Sequence, residues 1–371
     1  SRHFLGLQAT KIRWVPCASP SPPDLDGRSR ADNLFVLGGW HQNSEKNYLW
    51  VANLSVELIG DGGAQVESAE AVVQAAWQHT GKVTDLAVAD MGDGNVCILA
   101  ASSNGSASLF RLNTPREPGA PVSSVQVVGG SGAEGPVLDP WLLSLHRGPV
   151  ASVDISETTS EVLTAGRDGR IFVVPASRPR GGSALEPFHD SGGSASFSAA
   201  RWCSGALGTF VTASTTGGLE CWDTRQGPLA SARRPPREWA AAAMLALEVH
   251  PSRPHLCATG GERGEAAVWD LRFSAKPIVH SPSETQRSDV WEVHFDASEP
   301  YSGAAIPPLM ICNEAGAIRR LTPSSCGELV CEEVFSECCA VNSFDIEPSS
   351  GRDVIWVSEQ ECVGYMRRPT M

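Results

Sequence analysis

The sequence predicts an all-β chain arranged as a seven-bladed propeller, and three observations predict it. A strand-rich unit recurs seven times. Within each unit, apolar and polar residues alternate with the period of a half-buried strand. A Gly-bearing turn separates the second and third strands in most units: Asn104-Gly105, Asp168-Gly169, Gly217-Gly218, Arg263-Gly264 and Ala315-Gly316. Such residues tolerate the positive φ of a two-residue hairpin turn, which is the turn expected here. One propeller accommodates all 371 residues, because radial repetition enlarges a domain without enlarging its core.

Seven blades are expected in chain order. Blade one, about 11–76, is the most stretched, with "KIRWVP" from Lys11, "NLFVLGGW" from Asn33 and "NYLWVANL" from Asn47. Its segment Gly60 to Val73 reads as a loop. Blade two, 77–145, is carried by His79 to Leu112, with a fourth strand around Val122 to Val128. Blades three (146–193) and four (194–243) rest on His146 to Val174 and Ser194 to Arg225. Blade five, 244–287, holds the clearest copy, Met244 to Arg272, and a fourth strand at Pro277 to His280. Blade six, 288–337, starts at Ser288 and resumes after an insertion, ending its third strand at Leu321. Blade seven, 338–371, has three strands between Ala340 and Arg368 and no room for a fourth. Residues 1–10 complete it: "HFLGL", His3 to Leu7, supplies the missing strand, closes the ring and leaves no open edge.

The repeat is of the WD40 type, in degenerate form. A full blade of that type joins a His, a Ser or Thr, an Asp and a Trp in one buried polar network. Here His146, Thr164 and Asp168 share a blade in which Val173 stands near the Trp position, whereas Trp222 and Trp269 lie in blades without the His. Blade packing is therefore expected to rest mainly on apolar contact between sheets.

Composition narrows the function. A net charge of −13 argues against nucleic acid as a direct partner, since phosphate binding needs a concentrated positive field. Short basic patches (Arg178 and Arg180; Arg233, Arg234 and Arg237; Arg367 and Arg368) read as solvated loops or chain ends. Cys97, Cys221 and Cys257 sit in apolar strand-like runs, as small hydrophobes do in a reducing compartment. With no apolar run of 18 residues and no charged-then-apolar leader, the chain reads as soluble, cytoplasmic or nuclear, without membrane insertion.

No catalytic, cofactor or metal site is expected. "GSGAEG", Gly130 to Gly135, matches a dinucleotide-binding pattern, but Pro136 and the "VLDPW" after it do not look like the helix whose N-terminus would meet a pyrophosphate. Cys326, Cys331, Cys338 and Cys339 lack the paired spacing of zinc ligands. His79 and His146 read as structural, and His250 and His294 as turn caps closing first strands. Two readings stay open for "WDTR" at Trp222 and "WDLR" at Trp269. In one, the Trp packs, the Asp ends the strand and the Arg is merely exposed. In the other, Arg225 and Arg272 contact a ligase adaptor, since tandem W-D-x-R motifs resemble those of WD-repeat substrate receptors of cullin-4 ubiquitin ligases.

The run of blades as a whole resembles the WD-repeat nucleoporins of the Y-shaped outer-ring complex of the nuclear pore. The resemblance is carried by "KIRWVP", "ILAASSNGSASLFRL", "VLTAGRDGRIFVV", "VHPSRPHLCATGGERGEAAVWDLR", "DVWEVHF" and the atypical last blade, "VNSFDIEP" with "VIWVSEQECVGYMRR". It implies a non-enzymatic scaffold subunit at the nuclear envelope. Such a subunit would dock on the short arm of the Y complex, beside a helical-solenoid nucleoporin and a neighbouring small propeller. It would support pore assembly and the transport of protein and mRNA, and be monomeric outside the complex. A propeller binds through loops held rigidly at its faces, at little cost in ordering entropy. The expected contact residues are those beside the tight turns and first-strand starts: Trp40, Asn104, Arg167, Asp168, Arg263 and Trp291.

Overall fold

The computed structural model describes residues 2–4, 8–16, 29–40, 47–59, 65–114, 126–127, 145–177, 185–227, 231–233, 243–272, 276–281, 288–296 and 306–368. Within them every regular element is a strand, and the strands form seven four-stranded antiparallel sheets arranged as the blades of a propeller. The motif at Gly130 to Gly135 and the loops after Pro115 and Pro179 lie outside the described residues.

Each blade begins with an inner strand, and these succeed one another around the ring in chain order: Gln8–Trp14, Val83–Asp90, Val150–Ile155, Phe197–Trp202, Met244–Val249, Val290–Phe295 and Val341–Ile346. Each inner strand touches the next, and the last touches the first. The fourth strand of blade seven is Arg2–Phe4, paired antiparallel with Cys362–Arg367, so the two ends of the chain meet in one sheet. The short fourth strands of blades two and five are Gln126–Val127 and Val279–His280.

Apolar clusters occupy all seven blade junctions. One, for example, joins Ala9, Ile12, Phe35 and Leu37 of blade one to Ile355, Val357, Val363 and Tyr365 of blade seven. The other six join blades one and two, two and three, and so on around to six and seven. The second strands are buried on both faces, as in Leu256–Gly261 and Asp353–Ser358, because a neighbouring sheet covers each side. Burying each such side chain contributes about 1.5–3 kcal/mol.

The turns between second and third strands differ from the expected two-residue form. The N–H of Gly105 donates to the Ser102 carbonyl, and the N–H of Ser102 to the Ser106 carbonyl. Three residues are thus enclosed, the third being Gly at φ +89°. Gly169, Gly217, Gly264 and Gly316 close their turns in the same way, on Gly166, Ser214, Gly261 and Asn313. Three-residue loops ending in a left-handed residue are the next commonest hairpin class. In blade seven that place is taken by Glu361, at φ +60°.

Blade one departs most from the others. Its outer three strands, Ser29–Trp40, Asn47–Ile59 and Gln65–His79, have 12, 13 and 15 residues, against seven for the inner strand. The segment read as a loop from Gly60 to Val73 is strand from Gln65 onward, pairing with Asn47–Ile59 along its length. Four Ala and two Glu, poor strand formers, outnumber the three Val of that stretch, so neither alternation nor propensity announces it.

Candidate binding surface

The inner strands wall a central cavity of about 930 Å³ that all seven blades line. Because strands alternate, successive inward positions stack in layers, and two layers tie each blade to the next. In the upper layer, Thr10 Oγ1 donates to the Val83 carbonyl (2.7 Å), Thr84 Oγ1 to Val150 (2.6 Å), Ser198 Oγ to Met244, and Asn342 Nδ2 to Ala9 (3.0 Å). In the lower layer, carboxylates accept backbone N–H groups of the following blade: Asp85 from Val153, Asp154 from Trp202, Glu248 from Phe295, Glu292 from Phe344 and Asp345 from Trp14. Together the layers place at least one side-chain-to-backbone bond at each of the seven junctions.

Cations interleave with these carboxylates. Arg13 Nη2 and Lys11 Nζ both reach Glu292 Oε1, at 2.8 and 2.5 Å, while Arg201 Nη1 lies 3.2 Å from Asp85 Oδ2. Burial pushes the pKa of Asp85 up, but Arg201, Lys11 and Arg13 outweigh it and hold the group below the usual carboxylate range. Glu292 is likewise held well below its ordinary value, chiefly by Arg13 and Lys11 acting against burial. Asp154, for which burial wins over Arg201, is raised to about 6. Removing one member of such a network strands its buried partner, typically at about 3–5 kcal/mol.

His294 belongs to this network and is not the turn cap that its position suggests. Its Nδ1 lies 2.9 Å from Glu248 Oε1 and its Nε2 3.7 Å from Glu292 Oε2. Burial would lower its pKa, but the charge and hydrogen bond of Glu248, with Glu292, raise it to about 10. His250 does cap a turn, its Nδ1 accepting the N–H groups of Ser252 and Arg253. Blade packing therefore combines the expected apolar contact with a polar inner ring. The pattern that betrays the ring is a charged or hydroxyl residue at alternate positions of an otherwise apolar first strand, as in Lys11-Ile12-Arg13 and Glu292-Val293-His294.

The signature residues behave as their blades allow. His146 bridges Asp168 Oδ1 and Thr164 Oγ1, each at 2.9 Å, and Asp168 also accepts the Arg147 N–H. Trp222 and Trp269 donate instead to Thr212 and Thr259, both at 2.9 Å. His79 holds the His146 place in blade two, but Ala100 stands at the register position of Thr164. The His79 Nε2 accordingly has no hydrogen-bond partner.

Of the expected contact residues, Trp40, Arg167 and Trp291 come together at one mouth of the cavity. Trp291 is 37% exposed, Arg167 is exposed, and the Lys82 ammonium lies 5.7 Å from the centre of the Trp40 ring. Lys82, Asn342 and Glu359 join them in the cavity lining and were not singled out by the sequence. Asn104, Asp168 and Arg263 occupy turns on the same face but do not line the cavity. Asn104 Oδ1 is engaged by Ser106, Asp168 by His146, and the Arg263 N–H by Glu265. Arg225 and Arg272 lie at the opposite ends of their sheets, each held by the Asp two residues before it. Arg225 reaches Asp223 at 2.9 and 2.8 Å, and Arg272 reaches Asp270 at 3.0 and 2.7 Å.

Cations and carboxylates nearly balance along the cavity wall, which makes its interior a structural element. The mouth differs in presenting Trp40, Trp291 and Arg167, residue types enriched in binding hot spots. No family model matches the chain. It is 28% identical over 378 aligned positions to the nuclear pore complex protein NUP43 of Arabidopsis thaliana, covering 96% of this chain and 94% of that one. The chain is similar to the Nup43 nucleoporins along nearly its whole length. Nucleoporin Nup43 of Homo sapiens is 26% identical, and that of Mus musculus 25%, each covering 85% of this chain and 73% of its own length. The alternative of a ligase substrate receptor finds no support among these nucleoporin relatives.

Proposed function

We propose that the chain is a non-enzymatic scaffold subunit of the nuclear pore complex at the nuclear envelope, docking on the short arm of the Y-shaped outer-ring complex. The observation that carries this reading is similarity to Nup43 nucleoporins along nearly the whole chain, joined to a rigid propeller. Its partners are the helical-solenoid subunit of that arm and a neighbouring small propeller. Its contribution to pore assembly, and through it to transport, is to hold them in fixed relative positions. The mouth bearing Trp40, Arg167 and Trp291 is the docking face, since a disc already ordered loses little entropy on binding.

Affinity purification from nuclear-envelope extract, read by mass spectrometry, tests the assignment. Y-complex subunits are expected with the unaltered chain and should be depleted with a Trp291→Ala, Arg167→Glu variant. Recovery of a ubiquitin-ligase adaptor without Y-complex subunits would overturn it.

A further inference from the structure

The long hairpin of blade one ends the sheet in an edge built unlike a protected one. Gln65–His79 pairs on one side with Asn47–Ile59, and no described strand pairs with its other side. Two bulges interrupt it, at the register shifts Val51/Ala52 and Glu57/Leu58. Between them Ser68–Val73 runs six residues in unbroken register. Natural edges are commonly guarded by Lys, Pro or bulges. Here the bulges only bracket the regular run, and residues 47–81 contain no Lys, Arg or Pro.

The side chains on this run add an apolar and a charge signal. Val72 and Val73 are 45% and 47% exposed. Ala69 and Ala71 pack inward against the blade-one core, which fixes the strand in place. Glu57 and Glu70 are exposed, and Glu57 Oε2 accepts a hydrogen bond from Ser68 Oγ (3.0 Å). The acidic residues of 47–81 are Glu57, Asp61, Glu67 and Glu70; Arg30 stands opposite Glu57 in the register, whereas Glu70 stands opposite Ser55 and, one strand further, Asp32.

We infer that Ser68–Val73 is a strand-addition site for an extended, basic segment of another protein, which pairs as a fifth strand of blade one. Backbone groups on the free edge supply the hydrogen bonds, Val72 and Val73 offer an apolar contact on each face, and the Glu70 carboxylate selects Lys or Arg. A second copy of this chain is the wrong occupant, because it would bring the same carboxylates against themselves. The inference is independent of membership in the nuclear pore, and its test uses no pore component.

The probe is a decapeptide of alternating Val and Lys. Its control has the two central Val replaced by Pro, which keeps the charge and removes pairing. Both are titrated at near-physiological salt, where exposed long-range attraction is screened. Saturable binding of the first peptide is expected, with hydrogen exchange slowed in the stretch Gln65–His79 and unchanged in the other blades. A Glu70→Lys, Val72→Lys variant, checked for native circular dichroism, should bind at least roughly tenfold more weakly. Equal binding of the two peptides would reduce the effect to charge and overturn the site. So would protection elsewhere, no saturation below about 1 mM, or self-association of the free chain that Val72→Lys abolishes.

Discussion

At the scale of single residues, the inner ring carries more of the architecture than its size suggests. Glu292 accepts from Lys11, Arg13, Ser343 and the Phe344 backbone at once. Replacing it with Ala leaves two cations short of their partner. We expect Glu292→Ala to cost about 3–5 kcal/mol in denaturant titration, whereas Trp291→Ala next to it should stay within about 0.5 kcal/mol, being exposed. His146→Ala should cost more than His79→Ala, by about 1–3 kcal/mol. The first removes bonds to Thr164 and Asp168, and the second removes a ring already lacking one partner. Titration of His294 adds a pH dependence. Its folded pKa of about 10 lies above the ordinary 6.5, so its contribution is complete below 6.5 and disappears as pH rises through 10. The Tm of the unaltered chain should fall between pH 7 and 10, and that of His294→Gln should fall less; equal slopes would count against the assigned charge.

Among elements, the tight turns are the most sharply specified. A Cβ on Gly316 would lie 2.3 Å from the Cys339 carbonyl oxygen and 2.5 Å from that of Glu337, and the residue sits at φ +88°. Gly316→Ala therefore meets both backbone contact and the cost of a left-handed conformation, and a loss above about 2 kcal/mol is expected by thermal denaturation. Glu361→Gly should be neutral or stabilising, by up to about 1 kcal/mol, because Gly takes the same φ without that cost. The places of these turns (though not their three-residue form), the strand alternation and the seven copies were legible because each is a local requirement on a few adjacent residues. The long strand Gln65–His79 was not, since its Ala-rich sequence matches no strand preference and only pairing with Asn47–Ile59 makes it one. The inner ring was half legible. Charges within apolar first strands are visible, but partnerships such as Arg13 with Glu292 span 279 residues, and no local pattern announces them. At the mouth, Trp40, Arg167 and Trp291 could be named from their place beside turns and strand starts, whereas Lys82 and Glu359 required the ring to be closed.

For the molecule as a whole, seven similar junctions form a cycle, and six of them join blades that follow one another along the chain. The seventh, between the last blade and the first, joins segments more than 300 residues apart: Asp345 binds the Trp14 N–H, Asn342 binds the Ala9 carbonyl and Ser343 Oγ accepts the Ile12 N–H. Arg2–Phe4 adds a strand beside it. Deleting residues 1–7 should lower the Tm and accelerate hydrogen exchange in Cys362–Arg367, whose outer side would then be bare; unchanged exchange there would show that the strand adds nothing.

That seventh junction governs how the disc comes apart and comes together. It is a clasp made of both kinds of inter-blade bond, and it opens only if Arg2–Phe4, which leads into the first blade, also parts from Cys362–Arg367. Synthesis delivers its two halves far apart in time, so a ribosome-bound chain can hold six blades and still be an open arc. Nothing built on the shape of the full circle, including the mouth lined by Trp40 and Trp291, exists until the strands of the seventh blade arrive. The closed disc thus reports that all seven blades have been made, and a copy truncated before the last one would present its partners with no mouth to bind.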